Sequence, residues 1–266
     1  SIPLEELAGA LAHPERLVGL HFFNPVAKMQ LVEVVQGETT SEETRARATA
    51  FVGAIRRLPL PVASSPGFLV NRILMPYLME AIIIESEGVP AAVIDRAALS
   101  FGMPMGPLLL ADTVGLDICL SVAGKLSAHF NIQPPKRVED MVAAGRLGKK
   151  SGNGFYTYEN GKPVIPRRLS KAFPSADLEE RLLLRLLNEA VACWREKTAA
   201  DADLIDSGVI FGAGFAPFRG GPLRHIRSAG VAFLLGRLNT FAERYGSRFT
   251  PDAGWQELPP DDSGGP

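Results

Sequence analysis

Two titratable residues stand inside apolar stretches near the start of this sequence. His21 lies in Leu17-Val18-Gly19-Leu20-His21-Phe22-Phe23, and Glu33 lies in Met29-Gln30-Leu31-Val32-Glu33-Val34-Val35. A buried carboxylate is costly unless something pairs with it, and an imidazole on a neighbouring strand is a natural partner. Such a pair fixes the ring tautomer and strengthens the hold of an imidazole on a proton. General-base catalysis needs that arrangement, with one group taking the proton and the other orienting it. The same pattern also suits a structural pair, or two residues at solvated strand ends. A third polar residue, Asn71, lies one turn inside a long apolar segment that follows Ser64-Ser65-Pro66-Gly67. An amide there either hydrogen-bonds a ligand at the hinge or ties down the local backbone.

The elements that must position these residues read as follows. Residues 4–11 have helical spacing, with Ser1 as a cap, Glu5 and Glu6 in the first turn, and Pro14 as a stop. Residues 17–23 and 29–35 read as buried strands, separated by Asn24-Pro25 and closed by Gly37. Thr40-Ser41-Glu42-Glu43 is a capping region for a helix reaching about Arg57, and residues 60–63 suggest a third strand. Helix, strand, strand, helix, strand resembles the trailing part of a nucleotide-binding α/β domain and is too little to stand alone as one. The start of the sequence therefore reads as cut from something longer.

From Ser64 onward the pattern is helical. Residues 68–86 form a long apolar helix carrying Asn71, Arg72, Glu80 and Glu85, and residues 89–101 form another. Residues 108–123 read as one helix with Asp112 and Asp117 on it, and Asp112 is read as a capping or pairing group without a catalytic role. Residues 138–144 are a short helix. The loop 145–154 contains Lys149 and Lys150 but lacks P-loop spacing, so it reads as a solvated turn in preference to a phosphate site. A second helical unit begins near Asp177. Its Glu189-Ala190, Ile205-Asp206, Phe211-Gly212 and Gly221-Pro222 echo Glu80-Ala81, Ile94-Asp95, Phe101-Gly102 and Gly106-Pro107. This is a diverged internal duplication, and two such units are expected to pack as a pseudo-two-fold pair. Apolar residues become sparse after Phe249, so residues 250–266 read as a disordered tail.

Composition excludes several classes. The chain has 266 residues, with 28 Lys plus Arg against 29 Asp plus Glu, so it carries no global field for nucleic acid or an anionic membrane. No apolar run reaches the length of a bilayer span, and no signal peptide is visible. The two cysteines, Cys119 and Cys193, suggest neither a metal cluster nor a disulfide framework, which points to a reducing, cytoplasmic setting. Neither GxGxxG nor GxxxxGK[ST] occurs, so no cofactor-binding residue is assigned.

Several segments together resemble the L-3-hydroxyacyl-CoA dehydrogenase family. Gly19-Leu20-His21-Phe22-Phe23-Asn24-Pro25 with Leu31-Val32-Glu33-Val34-Val35 is similar to its catalytic signature, and Pro66-Gly67-Phe68-Leu69-Val70-Asn71-Arg72 to its hinge signature. Gly102-Met103-Pro104-Met105-Gly106-Pro107 and Gly152-Asn153-Gly154-Phe155-Tyr156 match as well. The duplicated helical part resembles the multifunctional fatty-acid-oxidation enzyme of the alpha-subunit type. The resemblance covers about residues 1–245. It implies a mostly α chain in which a remnant of a Rossmann-like NAD-binding domain (1–65) precedes two duplicated helical dehydrogenase domains (66–170 and 171–249). It also implies catalysis by His21, orientation of its ring by Glu33, and substrate contact by Asn71. His21 would take the 3-hydroxyl proton while the C3 hydride passes to NAD, giving 3-oxoacyl-CoA. The implied partners are 3-hydroxyacyl-CoA, an enoyl-CoA hydratase region of the same polypeptide, a thiolase subunit, and a second copy as a homodimer.

The family's functional serine and dinucleotide fingerprint find no counterpart here, Ser1 being a neighbour of that serine, so the isolated chain is expected to be inactive. A second reading makes the helical pair an assembly module. A third, a beta-hydroxyacid dehydrogenase, calls for a lysine where Asn71 stands.

Overall fold

The computed structural model describes residues 4–130, 133–166 and 174–258. Ser1 and residues 259–266, on which two of the expectations above fall, lie outside the described residues. Along the chain the main elements are α1 (Leu4–Ala8), β1 (Gly19–Phe22), β2 (Leu31–Gln36), α2 (Glu42–Ala54), β3 (Leu58–Ala63), α3 (Val70–Ser86), α4 (Ala91–Phe101) and α5 (Pro107–Val114). They continue with α6 (Leu116–Phe130), α7 (Lys136–Ala143), α8 (Ala176–Arg195), α9 (Ala202–Ala213), α10 (Pro222–Ala229) and α11 (Val231–Tyr245). The result is a mostly helical chain with a mixed α/β region at its start. Two compact units emerge: Ser1–Ile73 with Glu189–Leu235 and Pro251–Pro266, and Leu74–Asn188 with Gly236–Thr250.

The first unit is built around a three-stranded sheet in the order β1-β2-β3. β1 runs antiparallel to β2, with His21 opposite Glu33, and β2 runs parallel to β3, with Glu33 opposite Leu60. β3 carries Pro59 and Pro61, which cannot donate to a ladder and are tolerated because this strand is an edge. β2 is central, and Leu31 to Val35 are all buried. Its side chains alternate between faces. Val32 and Val34 pack with Ala48 and Val52 of α2, and Val18, Leu20 and Phe22 close the edge of that cluster. Leu31 and Glu33 point to the other face, where α9 packs. A strand covered on both faces has an almost continuous apolar run, and the exception is Glu33. Ser41 caps α2 as its type suggests, its Oγ accepting from the Thr44 N–H at 3.2 Å.

Three expectations change. The long helix after the hinge starts at Val70 rather than Phe68, because Gly67 (φ 79°) and Phe68 (φ 55°) are both left-handed. The single helix expected over 108–123 is two helices, broken at Gly115. That residue has φ 106°, a conformation that favours glycine. The tail expected from 250 onward is folded over its described part. Trp255 is buried and Asp252 accepts from Arg195 Nε at 2.8 Å, so one aromatic side chain and one ion pair anchor a segment that composition marked as loose.

In the second unit, Met75 and Met79 pack with Ala123 and Leu126. Two buried aspartates organise the rest. Asp95 on α4 accepts from the N–H groups of Leu108 (2.8 Å) and Leu109 (3.0 Å) at the start of α5, and from the Tyr156 hydroxyl (2.7 Å). Asp112 accepts from the N–H groups of Phe155 and Tyr156 and from the Tyr158 hydroxyl. Asp112 is thus a pairing group, and the turn after α7 docks on it. In that turn Lys150 is bound to Asp117 at 2.5 Å, which makes it a structural ion pair.

Matched positions make matched bonds. In the first unit, Asp206 on α9 accepts from Leu223 N–H (2.7 Å) and Arg224 N–H (3.0 Å) at the start of α10, as Asp95 does for α5 in the second. Gly106 and Gly221 lie against these carboxylates, and a Cβ built on either would fall 2.2 and 2.3 Å from the Cβ of Asp95 and Asp206. The long helices α3 and α8 exchange ion pairs in a reciprocal pattern. Arg72 of α3 binds Glu189 of α8 (2.7 Å) and Glu196 just beyond it (2.7 Å). Arg181 of α8 binds Glu80 of α3 (2.5 Å) and Glu87 just beyond it (2.6 Å).

Burial pushes the Asp206 carboxyl up to about 6, although two N–H groups and Arg227 favour its charge. An unfolded aspartate titrates at about 4. The folded state therefore holds this proton more tightly, so its contribution to stability is complete below about pH 4 and lost as pH rises through about 6. The span is worth up to about 3 kcal/mol. Asp206→Asn is expected to flatten the fall of the melting temperature between these pH values relative to the parent chain, as read by circular dichroism. An unchanged slope would show that Asp206 is ionised in the fold without penalty.

Candidate active site

The fold brings His21 and Glu33 together. Their Cα atoms are opposed across the β1–β2 ladder, and the ring Nδ1 lies 2.6 Å from Glu33 Oε2. Glu33 is fully buried, while the His21 side chain is 29% exposed. The carboxylate is therefore sealed and the imidazole is reachable. The other oxygen of Glu33, Oε1, accepts two backbone N–H groups, from Leu69 at 3.0 Å and Val70 at 2.9 Å.

This second set of bonds follows from the hinge. Pro66-Gly67-Phe68 turns through two left-handed residues, so the helical hydrogen-bond ladder begins late. The first N–H groups of a helix have no intrahelical acceptor. Here a strand carboxylate accepts two of them and also meets the positive end of the helix dipole. The cost of burying Glu33 is thus offset by three N–H donors, one of them the ring of His21.

Those bonds settle the ring's chemistry. A carboxylate that accepts on both oxygens requires Nδ1 of His21 to be the donor, so in the neutral ring Nε2 is the lone-pair nitrogen. Two aromatic rings frame it. Phe23 stands edge-on with ring centroids 4.8 Å apart, and Phe68 is tilted at 5.4 Å. Asn71 is on the first turn of α3, next to Val70, and is partly exposed. The three residues named from the sequence therefore come from β1, β2 and the start of α3. Pairing along the chain did not reveal the amides of Leu69 and Val70 or the two phenylalanine rings. The signal for the amides was present: a lone acid in an apolar strand needs donors, and a Pro-Gly turn before a helix leaves some free.

Among the described residues no group of three or more His, Cys, Asp and Glu is placed to hold a metal. No single helix among them is long and apolar enough to cross a membrane.

A sheet covered by helices, a long helix beginning on a strand carboxylate, and a histidine held by that carboxylate together define a class. Residues 67–158 match the 3-hydroxyacyl-CoA dehydrogenase C-terminal domain, and residues 1–65 match the 3-hydroxyacyl-CoA dehydrogenase NAD-binding domain. The chain belongs to the 3-hydroxyacyl-CoA dehydrogenase family. It is 41% identical over 263 residues to the fatty acid oxidation complex subunit alpha of Vibrio vulnificus, with 94% of this chain aligned. That alignment spans 37% of the relative's length. Among solved structures, 3-hydroxybutyryl-CoA dehydrogenase from Escherichia coli superposes with TM-score 0.81 at 25% identity, covering 97% of this chain and 73% of the other. (S)-3-hydroxybutyryl-CoA dehydrogenase from Ralstonia eutropha is 41% identical with TM-score 0.58, over 60% of this chain and 58% of that one.

Proposed function

We propose that this chain is the proton-transferring part of an NAD-dependent (S)-3-hydroxyacyl-CoA dehydrogenase of fatty-acid β-oxidation, within a longer polypeptide of the alpha-subunit kind. The observation that carries it is the 2.6 Å pair between a partly exposed His21 and a buried Glu33. His21 Nε2 takes the proton from the substrate's 3-hydroxyl, and Glu33 holds the ring and stabilises the imidazolium. In the opposite direction the imidazolium returns the proton to the 3-oxo group. Asn71, partly exposed on the otherwise buried first turn of α3, orients the thioester side of the acyl-CoA.

NAD is the oxidant in this reading, but the described residues do not make a dinucleotide cradle. The sequence contains no glycine-rich turn of the GxGxxG kind, and the N–H groups that start α3 are already taken by Glu33. No step of the cofactor is therefore assigned to these residues.

The reading extends to organisation. Residues 66–170 and 171–249 are two copies of one helical domain, supported by the Asp95–Gly106 and Asp206–Gly221 arrangements and by the reciprocal Arg72–Glu189 and Arg181–Glu80 pairs. Residues 1–65 are the closing part of the NAD-binding domain. The relatives' name, subunit alpha of a fatty acid oxidation complex, supports a partner subunit. In this reading that partner is a thiolase, an enoyl-CoA hydratase region belongs to the same polypeptide, and the complex acts in the cytoplasm.

The test is spectrophotometric. The natural full-length protein is expected to form NADH from 3-hydroxybutyryl-CoA and NAD, and residues 1–266 alone are expected to form none under the same conditions. Absence of turnover in the full-length protein would overturn the dehydrogenase reading. Robust turnover by the chain alone would overturn the missing cradle.

A further inference from the structure

Gly212 matches Gly102 in the sequence of the two helical copies, yet the two do different work. Gly102 ends α4 in the left-handed region at φ 115°. Gly212 lies inside α9, and Gly214 ends that helix at φ 74°. Capping therefore accounts for Gly102 and not for Gly212. What surrounds Gly212 does: a Cβ there would stand 2.8 and 2.9 Å from the two Cγ atoms of Val70 and 3.0 Å from Cδ2 of Leu31. One turn earlier on the same face, a Cβ on Gly208 would meet Leu60 Cδ2 at 2.7 Å and Leu69 Cδ2 at 3.0 Å. Leu69 and Val70 are the two residues whose N–H groups hold Glu33, and Leu31 and Leu60 flank Glu33 along and across the sheet.

A second restraint acts on the same turn. Arg72, two residues beyond Val70, is 2% exposed and is bound by Glu189 and Glu196 from the end of α8. The carboxylate-holding turn of α3 is thus pressed from one side by the glycine face of α9 and tethered through Arg72 by α8. Both contacts come from the second helical copy.

We propose that the second copy positions the His21–Glu33 pair, with Gly208, Gly212 and the Arg72 clamp acting as positioning residues for proton transfer. This rests on the dehydrogenase reading for its catalytic consequence, but its geometric content stands independently. The glycines let α9 approach until Val70 can sit only where its N–H meets Glu33 Oε1. Val70 is β-branched and stiff at χ1, so a methyl added at Gly212 moves the backbone of that turn rather than a side-chain tip. A shift there lengthens an N–H···O bond, rotates the carboxylate and tilts the imidazole away from its productive orientation.

The experiment pairs Gly212→Ala with two comparison variants. Gly53→Ala, in α2 with open space around it, controls for an added methyl on a helix, and Gly212→Ala/Val70→Ala restores the room. In the chain, nuclear magnetic resonance reads the amide protons of Leu69 and Val70 and the His21 Nδ1 proton, with circular dichroism confirming the fold. Gly212→Ala is expected to move both amide signals upfield and to broaden or lose the ring proton, while Gly53→Ala leaves all three in place. The double variant is expected to bring them back. In the natural full-length protein, Gly212→Ala is expected to lower kcat about tenfold with KM changed less than about twofold, since the proton step is misaligned while the acyl-CoA still binds. Glu189→Gln, which keeps size and removes one charge from the clamp, is expected to shift the same signals and covers the case in which Gly212→Ala does not fold. Unchanged amide and ring signals in both Gly212→Ala and Glu189→Gln would overturn the proposal. Shifted signals together with full activity of a His21→Gln enzyme would instead retain the positioning and overturn the role of His21 as the proton acceptor.

Discussion

His21→Gln in the natural full-length protein is expected to lower kcat for 3-hydroxybutyryl-CoA oxidation by about 10²–10⁴-fold, the range for losing a general base. Glutamine fills similar space, and its amide donates to Glu33 in place of Nδ1. It has no lone-pair nitrogen to take the alcohol proton. Because Glu33 is fully buried and keeps the N–H groups of Leu69 and Val70, the variant leaves that carboxylate partnered and the sheet intact. Substrate affinity is therefore expected to change little, and the loss is expected to appear in kcat. Steady-state NADH formation with a thermal melt of the same sample checks it. Wild-type kcat with an unchanged melt would assign His21 to structure.

Gly221→Ala is expected to have the largest effect on stability. A Cβ at this position would lie 2.3 Å from Asp206 Cβ and 2.5 Å from its Cγ, and the residue has φ 104°. The start of α10 must then withdraw from Asp206, which loses the N–H groups of Leu223 and Arg224 while remaining buried. Steric overlap, left-handed backbone and two broken bonds to a carboxylate together cost about 3 kcal/mol or more. Gly106→Ala meets the same overlap with Asp95, at 2.2 Å, but its φ of −72° adds no backbone strain, so its loss is expected to be smaller. Gly124→Ala, in α6 with nothing near it, is expected to be neutral or to stabilise by up to about 1 kcal/mol. Urea unfolding of the three variants orders them. A Gly221→Ala midpoint equal to that of Gly124→Ala would show that α10 seats on Asp206 without needing the glycine.

The site was partly legible in the chain because burial leaves a mark on composition. An acid and an imidazole in two apolar strands had to find one another or lie at solvated ends, and the antiparallel register of β1 and β2 places them face to face. The capping serine of α2 and the Pro-Gly hinge were legible for the same local reason, as each residue type satisfies a backbone need within a few positions. The break at Gly115 was not, since an isolated glycine in an apolar run is compatible with a continuous helix. The folded segment around Trp255 was missed because one buried indole and one ion pair to Arg195 outweigh a polar local composition.

By itself the sequence determined that an imidazole and a carboxylate stand in two apolar strands and an amide at the start of a long helix, because periodicity and the cost of buried charge act locally. It also carried the paired Ile-Asp and Gly-Pro positions at which Asp95 and Asp206 each cap a following helix. Only the tertiary structure decided that Oε1 of Glu33 rests on the Leu69 and Val70 amides, that Phe68 turns left-handed beside the imidazole, and that α9 and Arg72 brace the same turn. Those contacts join residues far apart in the chain. They exist because a carboxylate removed from water takes donors from whichever elements packing brings within reach.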